Sequence, residues 1–126
     1  MIALVACCGP KLLRRAVAAE LYVSPLFRKS RAAAEQYGRW FILSALHGVV
    51  DPRDEIEPYN VTLKANDTGW GWKVFDQLRT LGLTGETFVV FGGSKYVGPL
   101  MECGLNVVDP LRGLGIGERL AKLSRS

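Results

Sequence analysis

"ETFVVFGGSKYVGPLMECGLNVVD", residues 86–109, decides the fold. It opens on a near-continuous apolar run at 86–91, short and rich in β-branched and aromatic residues, which reads as a buried strand. Gly92-Gly93 breaks the run, and Ser94 opens a helix over roughly 94–102 that Gly104 ends. LNVVD then returns as a second apolar strand, stopped by Pro110. Strand, helix and apolar strand in succession form the βαβ unit of a parallel sheet.

The same alternation runs outward from this unit. Residues 2–6 (IALVA) are a buried strand stopped by Cys7-Cys8-Gly9-Pro10. AVAAELY holds a helical turn, and Ser24-Pro25 is a helix entry, with Ser as N-cap and Pro at the first helical position. That helix runs to about Tyr37, and Gly38 ends it. Residues 39–44 (RWFILS) are the next strand. A long loop is expected from Ala45 to about Asp67, of the kind that is functional or disordered in a compact domain. Thr68 is placed to cap a helix whose Trp72, Phe75, Leu78 and Leu81 share one face. Trp70 and Trp72 are either core or a rim that stacks bases; the core is favoured for Trp72, and Trp70 stays open. A last helix starts at Gly115 or Ile116.

The expected fold is one three-layer α/β domain over 1–126: a mainly parallel sheet of about four strands with helices on both faces, Rossmann-like. The chain's 126 residues suit one domain, and its 48% apolar content suits a packed core. No apolar run approaches the roughly 20 residues of a membrane helix. The first strand is too short, and lacks the preceding basic segment, to read as a signal peptide. Three cysteines, odd in number, with no C-x-x-C and one histidine, argue for free thiols in a reducing cytoplasm and against zinc. No metal or other cofactor is called for. The net charge of +4 permits phosphate contact without demanding it. The basic runs around Lys11, Arg28 and Arg119–Arg125 read first as solvated faces.

In parallel α/β sheets, ligands bind beyond the carboxyl ends of the strands. The unusual residues all follow strands, so four loops are expected to converge on one rim. Gly92-Gly93-Ser94-Lys95 offers backbone amides, a helix start and two side-chain donors to an anion, or is only a tight turn with a Ser cap. Cys7, Cys8 and Gly9 allow a flat ligand against the backbone, or are small buried residues. The richest cluster lies in FILSALHGVVDPRDEIEPYN, residues 41–60: Ser44, His47, Asp51, Glu55, Glu57 and Tyr59. His47 suits acid–base work, Asp51 or Glu57 a cationic sugar, and Tyr59 stacking on a base. The plainer reading is a solvated loop. Arg28, on the first turns after Ser24, either binds phosphate or pairs with Glu57.

The segments ACCGPKL, ELYVSPLFRKSRAAAE, WFILSALHGVVDPRDEIEPYNVTL and PLRGLGIGERLAKL together resemble a family of small bacterial and phage domains. These are distantly similar to the uracil-DNA-glycosylase-like domain of archaeosine-forming enzymes, and some are associated with 7-deazaguanine modification of DNA. The family more often has Ser-Cys-small-Lys-Lys where this chain has Ala6-Cys7-Cys8-Gly9-Pro10-Lys11, one lysine fewer. The resemblance implies a nucleobase-binding α/β fold and chemistry at an N-glycosidic bond. Cys7, Ser24, Arg28, Ser44, His47, Asp51, Glu57 and Tyr59 occupy matching positions.

The expectation is thus an enzyme that cleaves or exchanges an N-glycosidic bond in DNA, as a glycosylase or a guanine/7-deazaguanine transglycosylase. His47 would meet the leaving base and Asp51 or Glu57 the sugar. Lys95, Arg28 and the Gly92-Gly93 amides would hold phosphate. The alternatives are a non-catalytic nucleotide or modified-base binding module serving a larger DNA-modification system, and a small-nucleoside hydrolase or deoxyribosyltransferase. A homodimer or a partner enzyme fits any of these, and a membrane fits none.

Overall fold

The computed structural model describes residues 1–7 and 10–124. In chain order the elements are β1 Ile2–Ala6, β2 Ala16–Val17, α1 Ala18–Leu21, α2 Pro25–Glu35, β3 Trp40–Ser44, β4 Gly48–Val50, β5 Glu55–Ile56, α3 Thr68–Thr80, β6 Thr87–Phe91, α4 Ser94–Glu102, β7 Asn106–Val108 and α5 Ile116–Ser124. The main sheet has five strands in the order β4-β3-β1-β6-β7. β1 pairs in parallel with β3 and β6, and β6 with β7. β4 alone runs antiparallel, against β3. The chain is a single α/β domain with a mainly parallel sheet, as its alternating pattern implies.

Side-chain alternation builds two cores. Ile2 and Leu4 of β1 point into one, with Trp70, Val74 and Leu78 of α3 and Val97 and Leu100 of α4. Ala3 and Val5 point into the other, with Phe27, Ala33 and Ala34 of α2 and Leu123 of α5. Every β1 residue is buried, as expected of a central strand covered on both faces. The Ser24 hydroxyl accepts the Phe27 N–H at 3.1 Å and Pro25 opens α2, so that start follows its sequence signal.

Three expectations need correction. The segment 45–67 is not one long loop. A tight turn at Ala45–His47 closes a hairpin that pairs Ser44 with Gly48, and β5 joins β2 in a two-stranded ribbon. Gly48 has φ +75°, and a Cβ there would run into the Gln77 side chain. Second, α3 buries Trp70, Gly71, Val74 and Leu78, while Trp72 is 51% exposed. The reason is Gly71. A Cβ on it would lie 2.7 Å from the Pro99 carbonyl oxygen, so α4 approaches α3 on the face that only this glycine leaves open. Third, the cap of α3 is Asp67, accepting the Trp70 N–H at 3.0 Å, with Thr68 as the first helical residue.

β1 is the winding centre. The chain leaves it toward α2 on one face and leaves β6 toward α4 on the other. The diverging connections open a crevice between the carboxyl ends of β1 and β6, where such sheets bind ligands.

Candidate functional site

The site assembles from the residues that end these strands. Cys7 follows β1, Ser44 ends β3, and Tyr96 lies on the first turn of α4 after the diglycine turn. Tyr22 and Tyr59 arrive from the long connections. Ser44 is fully buried and Tyr22 is 1% exposed, whereas Tyr59, Tyr96 and Lys11 are half-buried and His47 is exposed. A buried layer therefore backs an accessible one.

Hydrogen bonds join the layers. The backbone N–H groups of Leu46 and His47 donate to Ser44 Oγ at 3.2 and 3.0 Å. Ser44 Oγ donates to the Tyr59 hydroxyl at 2.7 Å, and that hydroxyl donates to Cys7 Sγ at 3.4 Å. Tyr22 and Tyr59 hydroxyls lie 2.6 Å apart. Because the single Tyr59 proton is committed to sulfur, Tyr22 is the donor. Cys7 Sγ is 3.5 Å from the Tyr96 hydroxyl, which donates to the Cys7 carbonyl at 3.2 Å. The thiol proton then points to Tyr96. Every member has a defined direction, so the chain is satisfied from Ser44 to Cys7.

Burial first, and then the neighbouring Cys7 sulfur, push the Tyr22 and Tyr59 hydroxyls well above the ordinary phenol range. Both stay protonated and act as donors. The Lys11 ammonium sits 4.7 Å from the Tyr59 ring centroid and 5.6 Å from that of Tyr22, a cation–π placement. The His47 ring meets Tyr59 edge-on at 5.4 Å, and Trp70 meets Tyr96 edge-on at 5.5 Å. The turn that carries His47 is strapped to α3. Lys73 Nζ donates to the Leu46 carbonyl at 2.7 Å, Gln77 Nε2 to that of His47 at 2.9 Å, and Trp70 Nε1 to that of Ser44 at 2.9 Å.

Of the residues named from the sequence, Cys7, Ser44, His47 and Tyr59 come together as expected. Gly92 and Gly93 line a narrow crevice of about 50 Å³ with Cys7, Tyr96 and Arg119. Gly92 packs so closely on β1 that a Cβ would lie 2.7 Å from that of Ala6. Cys8 and Gly9 lie outside the described residues, as does Arg125. Ser94 begins α4, and Lys95 beside it is exposed.

Others do not join the cluster. Asp51 follows the antiparallel β4 and so sits at the opposite, amino edge of the sheet. It shares a depression with Gly38, Arg39 and Trp40 and pairs with Arg53 at 3.1 Å. The Arg53 side chain is the main cause of its carboxyl lying below the usual range. Glu55 and Glu57 are exposed and both pair with Arg15, at 3.4 and 3.6 Å, so Glu57 is not the partner of Arg28. Arg28 is exposed, in a surface depression with Arg14, Glu20 and Glu55. Ser24 is taken up by its cap.

Sequence reasoning missed Tyr22 and Tyr96. Tyr22 precedes the Ser-Pro cap and Tyr96 follows the diglycine turn, so each sits beside a signal that was read. Their convergence depends on strand order, which local pattern does not carry.

Fold and site together define an α/β domain with a crevice at the switch point of a mainly parallel sheet. Residues 2–125 match the model of a family of unknown function, DUF6884, and the chain belongs to that family. No curated protein and no solved structure matches it. Among the described residues no helix is long and apolar enough to cross a membrane.

Proposed function

We propose that this chain binds a nucleobase, free or within a nucleotide, at the carboxyl edge of its sheet. The observation that carries this reading is the preset polar chain behind Tyr59. Ser44, Tyr22 and Cys7 fix the phenol, Lys11 lies over its ring, and His47 meets its edge. A flat heterocycle needs aromatic surface and a few donors held in place before it arrives. An ammonium suits the carbonyl oxygen and ring nitrogen on the outer edge of a guanine. The resemblance to domains associated with 7-deazaguanine modification of DNA supports the same ligand class.

Cleavage or exchange of an N-glycosidic bond in DNA is the second reading. It needs a donor for the leaving base and a carboxylate beside the sugar. Lys11 and His47 supply the donor side. Asp51 is at the wrong edge for the other task, and Glu57 is engaged by Arg15 at the surface. That imbalance favours a binding module over a glycosylase or a nucleoside hydrolase.

The test is equilibrium binding of guanine, 7-deazaguanine and their deoxynucleosides, run beside base release from DNA oligomers. Lys11→Gln and Tyr59→Phe are expected to weaken binding roughly tenfold, or about 1.4 kcal/mol. Asp51→Asn should bind as the parent does. Failure of the parent chain to bind any of these ligands would overturn the proposal. Base release that Glu57→Gln abolishes would establish the enzymatic reading instead.

A further inference from the structure

The crevice at Cys7 holds about 50 Å³, room for no more than about two waters and too little for a heterocycle. A larger cavity, of about 540 Å³, lies between α4 and the segment 109–119. The two share Gly92, Leu111 and Arg119 as walls, so they are contiguous. The larger volume falls within the range of small-molecule sites.

Its lining is chemically divided. Val97, Leu111 and Leu114 give apolar surface, while Ser94, Asp109, Arg112 and Arg119 supply the charged and polar groups. Asp109 Oδ1 is buried and has no hydrogen-bond partner among the described residues. Such an oxygen calls for a donor beyond the described residues. Arg119 Nε donates to the Leu114 carbonyl at 2.9 Å, which fixes the side chain. Its terminal nitrogens then lie 3.5 and 3.7 Å from where a Gly93 Cβ would stand, over the start of the nine-residue α4. A fixed guanidinium and a helix N-terminus thus favour an anion in one place. The exposed Arg112 adds a second guanidinium with no partner among the described side chains.

We infer that this cavity is a ligand pocket for a nucleoside monophosphate. Arg119, Arg112 and Ser94 take the phosphate, and Asp109 accepts a hydrogen bond from a sugar hydroxyl. The nucleoside part of this assignment rests on the reading given under Proposed function, and the phosphate part does not. The pocket places the phosphate and sugar beside the Cys7–Tyr96 crevice and leaves the base to the Tyr59 side, whose hydroxyl reaches Cys7.

The test titrates the full chain with ribose 5-phosphate, deoxyguanosine and deoxyguanosine 5′-monophosphate by calorimetry. The monophosphate should bind at least tenfold more tightly than the nucleoside, and Arg112→Gln should remove most of that difference. Gly98→Leu is a steric variant. Gly98 lines the cavity, a Cβ on it meets nothing within 4 Å, and leucine forms helix better than glycine, so α4 should persist while the volume fills. It should abolish binding of both phosphates, with thermal unfolding confirming the fold. Equal affinity for nucleoside and monophosphate, or unchanged phosphate binding in both variants, would overturn the pocket. Base binding that ignores both variants keeps the nucleobase reading and sinks the pocket. Arg112-dependent binding of ribose 5-phosphate with no preference for a base does the reverse.

Discussion

Asp51 and His47 are four residues apart in the chain and stand at opposite edges of the sheet. At the carboxyl edge, a buried serine, two buried or half-buried phenols and a thiol form one directed chain with a lysine and a histidine at its mouth. At the amino edge, an equally polar stretch gives only a solvated ion pair between Asp51 and an Arg53 side chain that is 89% exposed. The polar composition is similar and the physics is not. Where the polar groups are buried they must find partners, and their partners fix their geometry. Where they are exposed, water competes and the pairing is worth little.

This contrast predicts unequal costs of mutation. The largest belongs to Trp70, which is buried behind the carboxyl edge with its indole N–H on the Ser44 carbonyl. Trp70→Ala should cost about 3–5 kcal/mol in denaturant unfolding. Trp72→Ala, two residues on and half exposed, should stay within about 1 kcal/mol. Comparable losses for the two would show that the assigned face of α3 is wrong.

Ser44→Ala comes next. It orphans the Leu46 and His47 N–H groups and removes a donor to Tyr59, which should cost about 1–3 kcal/mol. Asp51→Ala should cost no more than about 1 kcal/mol. If these two costs were reversed, the contrast between the edges would fail.

A smaller effect is pH-dependent. The folded values of Tyr22 and Tyr59 are raised, so their contribution is complete below the unfolded phenol value of 10.0. It is lost as pH rises beyond that value, because the unfolded chain releases protons that the folded chain retains. Stability should therefore fall above about pH 10, and Tyr59→Phe should flatten that fall. The smallest effect is at the other edge. The lowered Asp51 value means a contribution present above 3.8 and lost as pH falls below it, so Asp51→Asn should lower stability slightly near neutrality and flatten the fall below that value.

Much of the fold was legible because its signals are local. The Ser24-Pro25 entry of α2, the Gly92-Gly93 turn and the helix 94–102 each follow from neighbouring residues. The hairpin at Ala45–Gly48 was hidden within a polar stretch. Its sign was a glycine after a three-residue turn, followed by Val49-Val50. Missing it left Asp51 on the same side as His47, since only a reversal of direction separates them. The face of α3 was misread because two helical stripes, 70-74-78 and 72-75-78-81, are equally apolar. The choice between them lies in how Gly71 meets Pro99 on another helix. Cys7, Ser44, His47 and Tyr59 were found because a parallel sheet brings strand ends together. Tyr22 and Tyr96 were not, because each enters from a connection whose path the pattern leaves open.

The most direct test of a ligand site at the carboxyl edge is amide chemical-shift mapping of the full chain during titration with guanine and deoxyguanosine. The account predicts the largest shifts at Leu46 and His47, whose N–H groups rest on Ser44, and at Gly92 and Gly93. Shifts confined to Arg39, Asp51 and Arg53, or none at saturating ligand, would contradict it.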